Sequence, residues 1–410
     1  MKPKLRDIKF QPAMGRGQQG FIISDPLGIS QKTLFMPAYM SFLLNLLDGT
    51  RDIGTIKTGF ELRTGRIINP SDLEMLISRL DEALFLESEN FLEAYQSAIS
   101  DYRASPTRKP ILAGSCYPED PEVLKDYIQK YLDKVPDDSF QETDEIVGVI
   151  SPHIDYQRGA RIYAEVWSKA RKSMEQAKLV VILGTDHVDG KGSITLTSQD
   201  YQTPLGVMPT DKGIVEEFAG ELGDDAFVSE LNHRGEHSIE SALVWLQYLL
   251  GDKTCPVVPV LCGSFYTFIE SGESPLKVKQ IAKTVNMIRK LYQRKRTIVV
   301  AAADLAHMGP EFGDPIPMDI SGRARMTRDD EELIKIICRG DAEDFYSLIQ
   351  KEKDCRHVCG VPPIYITLAS MSAAQGISVG YAMCPASPDQ TSLVSICGVL
   401  YRSNKSPNKI

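Results

Sequence analysis

Six histidines are spread over 410 residues, and three of them stand just beyond an apolar run. Val147 to Ile150 leads to His153, Leu179 to Leu183 leads to His187, and Ile298 to Ala303 leads through Asp304 to His307. Short, wholly apolar runs of this kind read as strands covered on both faces, the pattern of a parallel sheet. Ligands and metals bind in the crevice beyond the carboxyl ends of such strands, so three imidazoles remote in sequence can converge there. Their neighbours Asp155, Asp186 and Asp304 offer carboxylates that could orient an imidazole by accepting its second ring N–H. The competing role for these aspartates is to cap the loops and helices that follow.

Glu236-His237-Ser238 forms a second cluster, placed ahead of an apolar helical run rather than behind a strand. The pair can act as acid and base beside a substrate, His237 can be a further ligand, or the segment can simply cap the helix. His233 and His357 have no comparable context and are read as structural or exposed. Cys359 precedes Gly360-Val361-Pro362-Pro363, a helix start, where a thiol's pKa is expected to fall. Cys355 has an equal claim by spacing, and an inert buried thiol is the ordinary alternative for both. Three imidazoles suit zinc, iron or copper, and an added thiolate shifts the balance toward Fe(II) or Cu(I) and away from magnesium. No Gly-x-Ser-x-Gly elbow and no phosphate-cradling glycine loop is present.

The elements that must carry these residues follow an α/β grammar from Ile111 onward, with apolar strands alternating with amphipathic helices. One helix after the first strand carries Ile162, Val166, Trp167 and Ala170; another spans Ser238 to Leu250, with Ser238 as its N-cap. Helices are expected at Asp329–Cys338 and Asp341–Gln350, and a third opens at Pro362-Pro363 and stops near Gly376. Val379–Met383 and Leu393–Tyr401 read as closing strands, joined as an antiparallel pair at the sheet edge. The expected fold is therefore a mixed, mostly parallel sheet flanked by helices, over residues 106–410.

Residues 1–105 differ, with neither histidine nor cysteine. Helices are expected at Tyr39–Leu47 and Ser71–Ala83, the second capped by Ser71, with a short strand at Leu84–Leu86 and a linker over Tyr102–Pro110. This suggests a small winged-helix-like module, and the Asp48-Gly49-Thr50-Arg51 turn loosely resembles peptide-binding domains of the PqqD type. Its 12 Lys and Arg against 13 Asp and Glu leave a net of −1, so a peptide is a better partner than DNA.

The whole chain has a formal charge of −9 and a pI near 5.4, which gives no long-range attraction to nucleic acid or an anionic membrane. No secretory leader and no run of about 18 uncharged apolar residues is found. Eight cysteines without regular spacing read as free thiols. A cytoplasmic location is expected.

At the same residues the chain resembles the Memo family, known in prokaryotes as AmmeMemoRadiSam system protein B. The matching stretches run in order: Leu112-Ala113-Gly114-Ser115-Cys116-Tyr117-Pro118, Ile150-Ser151-Pro152-His153, Ile182-Leu183-Gly184-Thr185-Asp186-His187, Thr203-Pro204-Leu205-Gly206, Glu236-His237-Ser238-Ile239-Glu240, Asp304-Leu305-Ala306-His307-Met308-Gly309 and Val358-Cys359-Gly360. The resemblance implies a fold similar to the ring-opening class III extradiol dioxygenases, which use non-haem Fe(II). It also implies metal ligands at His153, His187, His307 and Cys359, and so prefers Cys359 to Cys355. Asp155, Asp186 and Cys116 depart from the family pattern, the first two adding acidity to the pocket.

The function expected from the resemblance is a metal-binding protein that performs redox or oxygen chemistry. Fe(II) is the first choice of metal, copper or zinc the alternatives, and Glu236, His237, Asp304 and Asp155 the supporting acid-base groups. A second reading is a non-catalytic binding or assembly component that works with a radical-SAM partner, taking a small molecule or peptide. A third is a metal-assisted hydrolase with Glu236 or Asp155 as base.

Overall fold

The computed structural model describes residues 2–15, 17–136, 145–188, 192–371 and 374–403. The chain divides into two compact units, 1–105 and 106–410.

In the first unit an antiparallel sheet of Lys9–Gly15, Gln18–Ser24 and Leu34–Pro37 comes ahead of three longer helices, Ile53–Thr64, Pro70–Glu82 and Glu89–Ala104. Ile23, Met36, Leu43, Phe60, Leu73 and Phe85 make its core. The helix expected at Tyr39–Leu47 shrinks to Ser41–Leu44, because the Leu46 and Leu47 amides turn back to carbonyls three residues earlier. The next helix starts at Pro70 rather than after a Ser71 cap, since proline at the first position has no amide hydrogen to satisfy. Leu84–Leu86 forms no strand: Leu84 is left-handed at φ 59°, and one bridge joins Leu86 to Leu5. The expected linker loses Tyr102 to Ala104 to the last helix.

In the second unit the large sheet contains eight strands: β1 (Ile146–Ser151), β2 (Leu179–Thr185), β3 (Ile194–Leu196), β4 (Val257–Cys262), β5 (Thr297–Ala302), β6 (His307–Met308), β7 (Gln375–Pro385) and β8 (Leu393–Arg402). The sheet is mixed, with four parallel central strands in the order β1-β5-β2-β4. β3 lies antiparallel beside β4, β8 antiparallel beside β1, and β6 and β7 both pair with β8.

Strand alternation divides the core. Val180, Ile182, Ile298 and Val300 face the helices Tyr156–Gln176 and Ser238–Leu250, whereas Leu179, Val181, Val299 and Ala301 face Lys279–Arg294 and Val361–Ser370. Each fully buried Val, Leu or Ile side chain contributes about 1.5–3 kcal/mol relative to exposure, which fixes the register and with it the strand ends. The helix expected to reach Gly376 stops at Ser370, since residues from Gln375 onward are taken into pairing with β8. No helix among the described residues is long and apolar enough to cross a membrane.

A buried ionic network ties the start of this unit to the helix Ser238–Leu250. Arg108 and Glu240 form an ion pair with both side chains fully buried. Arg108 also donates to the carbonyls of His233, Lys109 and Glu236, and Glu240 accepts from the Ile111 and Leu112 amides and the Tyr117 hydroxyl. The carboxylate explains how one acidic residue is tolerated inside the apolar face of this helix. His233, fully buried, donates from Nε2 to the Thr195 carbonyl at 3.1 Å, and its Nδ1 lies 2.7 Å from the Tyr201 hydroxyl. Burial, reinforced by Arg108, depresses its pKa to about 3.

Two outcomes follow. Glu240→Ala leaves a buried guanidinium uncompensated and should lower unfolding free energy by about 3–5 kcal/mol, whereas a paired Arg108→Met, Glu240→Leu variant should recover much of it in urea titrations. Equal losses in both would contradict the network's role. Between pH 6.5 and about 3 the unfolded chain binds a proton at His233 that the folded chain does not, so this contribution is complete above 6.5 and is lost as pH falls. Proton uptake on unfolding in that window should drop by about one in His233→Gln; unchanged uptake would show that His233 is protonated in the fold.

Candidate metal centre

Parallel pairing delivers the histidines. His153 lies two residues beyond the end of β1, His187 two beyond β2, and His307 begins β6 five residues beyond the end of β5, the strand between them. His237 reaches the same place from the start of the helix Ser238–Leu250, where it is the N-cap residue. Close approach of that helix to β2 requires Gly184: a Cβ there would fall 2.5 Å from the Ser238 Oγ. Ser238 itself is not the cap but the first helical residue, and its hydroxyl donates to the Thr185 carbonyl at 3.0 Å.

Three rings cluster. His187 and His237 stack with centroids 4.8 Å apart, and His153 stands edge-on at 5.1 Å from His187 and 5.3 Å from His237. One nitrogen from each of these three lies within 4.8 Å of the others. The second nitrogens are all engaged. His153 Nδ1 donates to the Ala302 carbonyl at 3.0 Å, and the Nδ1 atoms of His187 and His237 lie 3.0 and 3.1 Å from the Glu236 carboxylate. A carbonyl and a carboxylate only accept, so each Nδ1 carries hydrogen and each Nε2 is the atom left for a ligand. This is the donor chemistry a metal ion requires, and the residues fit one.

Glu236 is the residue around which this forms. It is 3 % exposed and accepts from the backbone amides of His187, His237 and Ser238 at 3.1, 2.7 and 2.9 Å, besides the two rings. Burial alone would raise its pKa, but the His187 charge and the hydrogen bonds from both imidazoles hold it well below the ordinary carboxylate range. Capping and orienting the rings are thus one function of one side chain. Fully committed in this way, it has no oxygen left to serve as a general base.

The other expected site residues are distributed around this triad. Cys359 Sγ is 3.3 Å from His153 Nε2. Its thiol pKa is pushed up by burial, only partly countered by a hydrogen bond with His187, rather than lowered as its place before a helix suggested. Desolvation outweighs the few partial charges of the helix end. His307 lines the same cavity, with Nδ1 on the Leu305 carbonyl at 3.1 Å and its ring edge-on to Phe312 at 5.0 Å, but it does not belong to the three-ring cluster. Burial depresses its pKa to about 4. Asp304, buried, accepts from the His153 amide at 2.8 Å and places Oδ2 3.7 Å from His153 Nε2.

Asp155 lines the cavity but serves as N-cap of Tyr156–Gln176 and pairs with Arg158 at 2.5 Å, which takes up its charge. Asp186 accepts from the Asn232 side-chain amide at 2.8 Å and from the Val188 N–H; the carboxylate seen on the His187 ring is Glu236. His233 and His357 lie outside the cluster, the first buried, the second exposed with Nδ1 near the His307 carbonyl. The network of Arg108 and Glu240 is not foreseen from the sequence. Its signal was available in Glu240, a charge on an otherwise apolar helix that had to find a buried partner.

The rings open into a cavity of about 550 Å³ whose wall includes Leu112, Cys116, Ile154, Glu311, Phe312 and Val394. His187 and His237 are each about one third exposed toward it. A small molecule can therefore reach the two imidazoles.

Comparison with known proteins agrees with this architecture. Residues 108–399 match the family model described as Memo-like protein. A MEMO1 family protein of Aquifex aeolicus is 28 % identical over 404 residues, covering 98 % of this chain and 100 % of the relative, so the first unit is included in the likeness. A MEMO1 family protein of Methanopyrus kandleri is 26 % identical, with 72 % of this chain covering 99 % of the relative. One from Methanosarcina barkeri is 27 % identical over 64 % of this chain and 86 % of its own length. With the matching model spanning nearly the whole α/β unit that carries the histidine cluster, the chain belongs to the Memo-like protein family.

Proposed function

We propose that this protein holds one transition-metal ion on the Nε2 atoms of His153, His187 and His237, with Cys359 as a fourth donor, and performs redox or oxygen chemistry on a small molecule in the adjoining cavity. The observation that carries the reading is the three imidazoles whose Nδ1 atoms are all engaged by a carbonyl or a carboxylate and which each offer a nitrogen within 4.8 Å of the others. Nitrogen donors with one thiolate favour Fe(II) or copper, with zinc as competitor. When bound, Fe(II) would supply one-electron chemistry.

The protein's own residues would supply the rest. Glu236 fixes two rings and their tautomers, and the Ala302 carbonyl fixes the third. Asp304, with its carboxyl raised above the usual range chiefly by burial, can hold a proton at Oδ2 beside His153. His307 lines the cavity from outside the triad with its Nδ1 on the Leu305 carbonyl, a position suited to the substrate rather than the ion. The hydrolase alternative loses support because its candidate bases are taken, Glu236 by the rings and Asp155 by Arg158.

Protein loaded anaerobically with Fe(II) should contain one equivalent by elemental analysis. His187→Ala and His237→Ala should remove most of it. Glu236→Gln should weaken affinity about 10–100-fold, the usual effect of losing an orienting partner. Full metal content in His237→Ala together with loss in His307→Ala would replace this ligand set by the one the family resemblance implied; no stoichiometric metal in the unaltered protein would end the reading.

A further inference from the structure

The cavity beside the three rings has a wall whose chemistry is specific. Leu112, Ile154, Phe312 and Val394 supply its apolar part. Among the described residues its charged side chains beyond the imidazoles are Asp155, Arg158, Asp304 and Glu311. Arg158 is neutralised at home: Nε and Nη2 are both 2.5 Å from Asp155 Oδ2, and Nη1 donates to the Pro385 carbonyl at 2.9 Å. Asp304 is buried and turned to the His153 and Ile154 amides. That leaves Glu311, exposed, whose carboxylate has no partner among the described residues.

Glu311 is held in place by its backbone. It sits in the short turn Pro310–Phe312, and its amide donates to Ser392 Oγ at 3.0 Å. The turn starts at Gly309, with φ 109°, where a Cβ would lie 2.4 Å from the Thr391 carbonyl oxygen. The same turn presents Phe312, whose ring meets His307 edge-on. One short turn thus contributes both an unpaired carboxylate and an aromatic ring to the wall of the cavity. A carboxylate with an aromatic face is the pairing that recognises an ammonium group.

We infer that the cavity takes a small aromatic or aliphatic amine, its cation at Glu311 and Phe312 and its opposite end directed to the three-histidine cluster. This rests on the proposed function only for the inner end; the amine preference belongs to Glu311 and Phe312 and does not require a metal. An anionic isostere would meet Glu311 and find Arg158 already paired, so it should be disfavoured.

The test compares tyramine, 4-ethylphenol and 4-hydroxyphenylacetate by calorimetry, on protein with and without bound Fe(II). One charge pair at a partly exposed site amounts to about 1 kcal/mol, so tyramine should bind about fivefold tighter than 4-ethylphenol, and 4-hydroxyphenylacetate weakest. Glu311→Gln should erase the difference between tyramine and 4-ethylphenol while leaving metal content unchanged, and rising salt should reduce it in the unaltered protein. Equal affinities, a preference for the carboxylate, or no binding of any probe would overturn the inference. If the unaltered protein holds no stoichiometric metal yet still prefers tyramine, the metal reading falls and this one stands.

Discussion

A single buried carboxylate, Glu236, organises the site. Moving such a group from water into the interior costs several kcal/mol unless its oxygens are filled. Here five donors fill them, three backbone amides and two imidazoles. The consequences spread outward. Because the amides of His237 and Ser238 are satisfied by Glu236, the helix Ser238–Leu250 begins where it does; because the two imidazoles give their Nδ1 hydrogens to it, both keep Nε2 free. The Glu236 carbonyl is in turn held by Arg108, whose charge is balanced by Glu240 one helical turn further on. Stability and site geometry therefore share one network, and disturbing the buried pair should be felt at the rings.

The sheet does the coarser positioning. Side-by-side exit of β1, β5 and β2 at one end of the sheet brings His153, His307 and His187 to one crevice regardless of their separation in the chain. This much was legible in the sequence, since wholly apolar runs such as Leu179–Leu183 can hardly be anything but buried strands, and a strand buried on both faces has its ligands at its end. The mixed sheet with a parallel centre was legible for the same reason.

What could not be read was which groups meet after the strands end. His237 joins His153 and His187 because a helix start packs against β2 through Gly184, a tertiary contact with no periodic signature. The sequence left three roles open for Glu236-His237, and the structure shows the helix cap together with a place for His237 in the imidazole cluster. Asp155 and Asp186 sit in positions equivalent to a ligand-orienting carboxylate, yet a helix start and an Asn232 side chain claimed them first. The thiol of Cys359 was assigned a lowered pKa from its helix end, but its burial reverses the direction, because desolvation acts on the whole charge and the helix end only on a fraction of it.

The central claim is that His237 and not His307 completes the imidazole set around a metal ion. The most direct measurement is a crystal structure of anaerobically Fe(II)-loaded protein with an anomalous difference map at the iron edge. The account predicts one peak within bonding distance of Nε2 of His153, His187 and His237, with Cys359 Sγ alongside. A peak bonded to His307 with His237 turned away, or no peak between the rings, would contradict it.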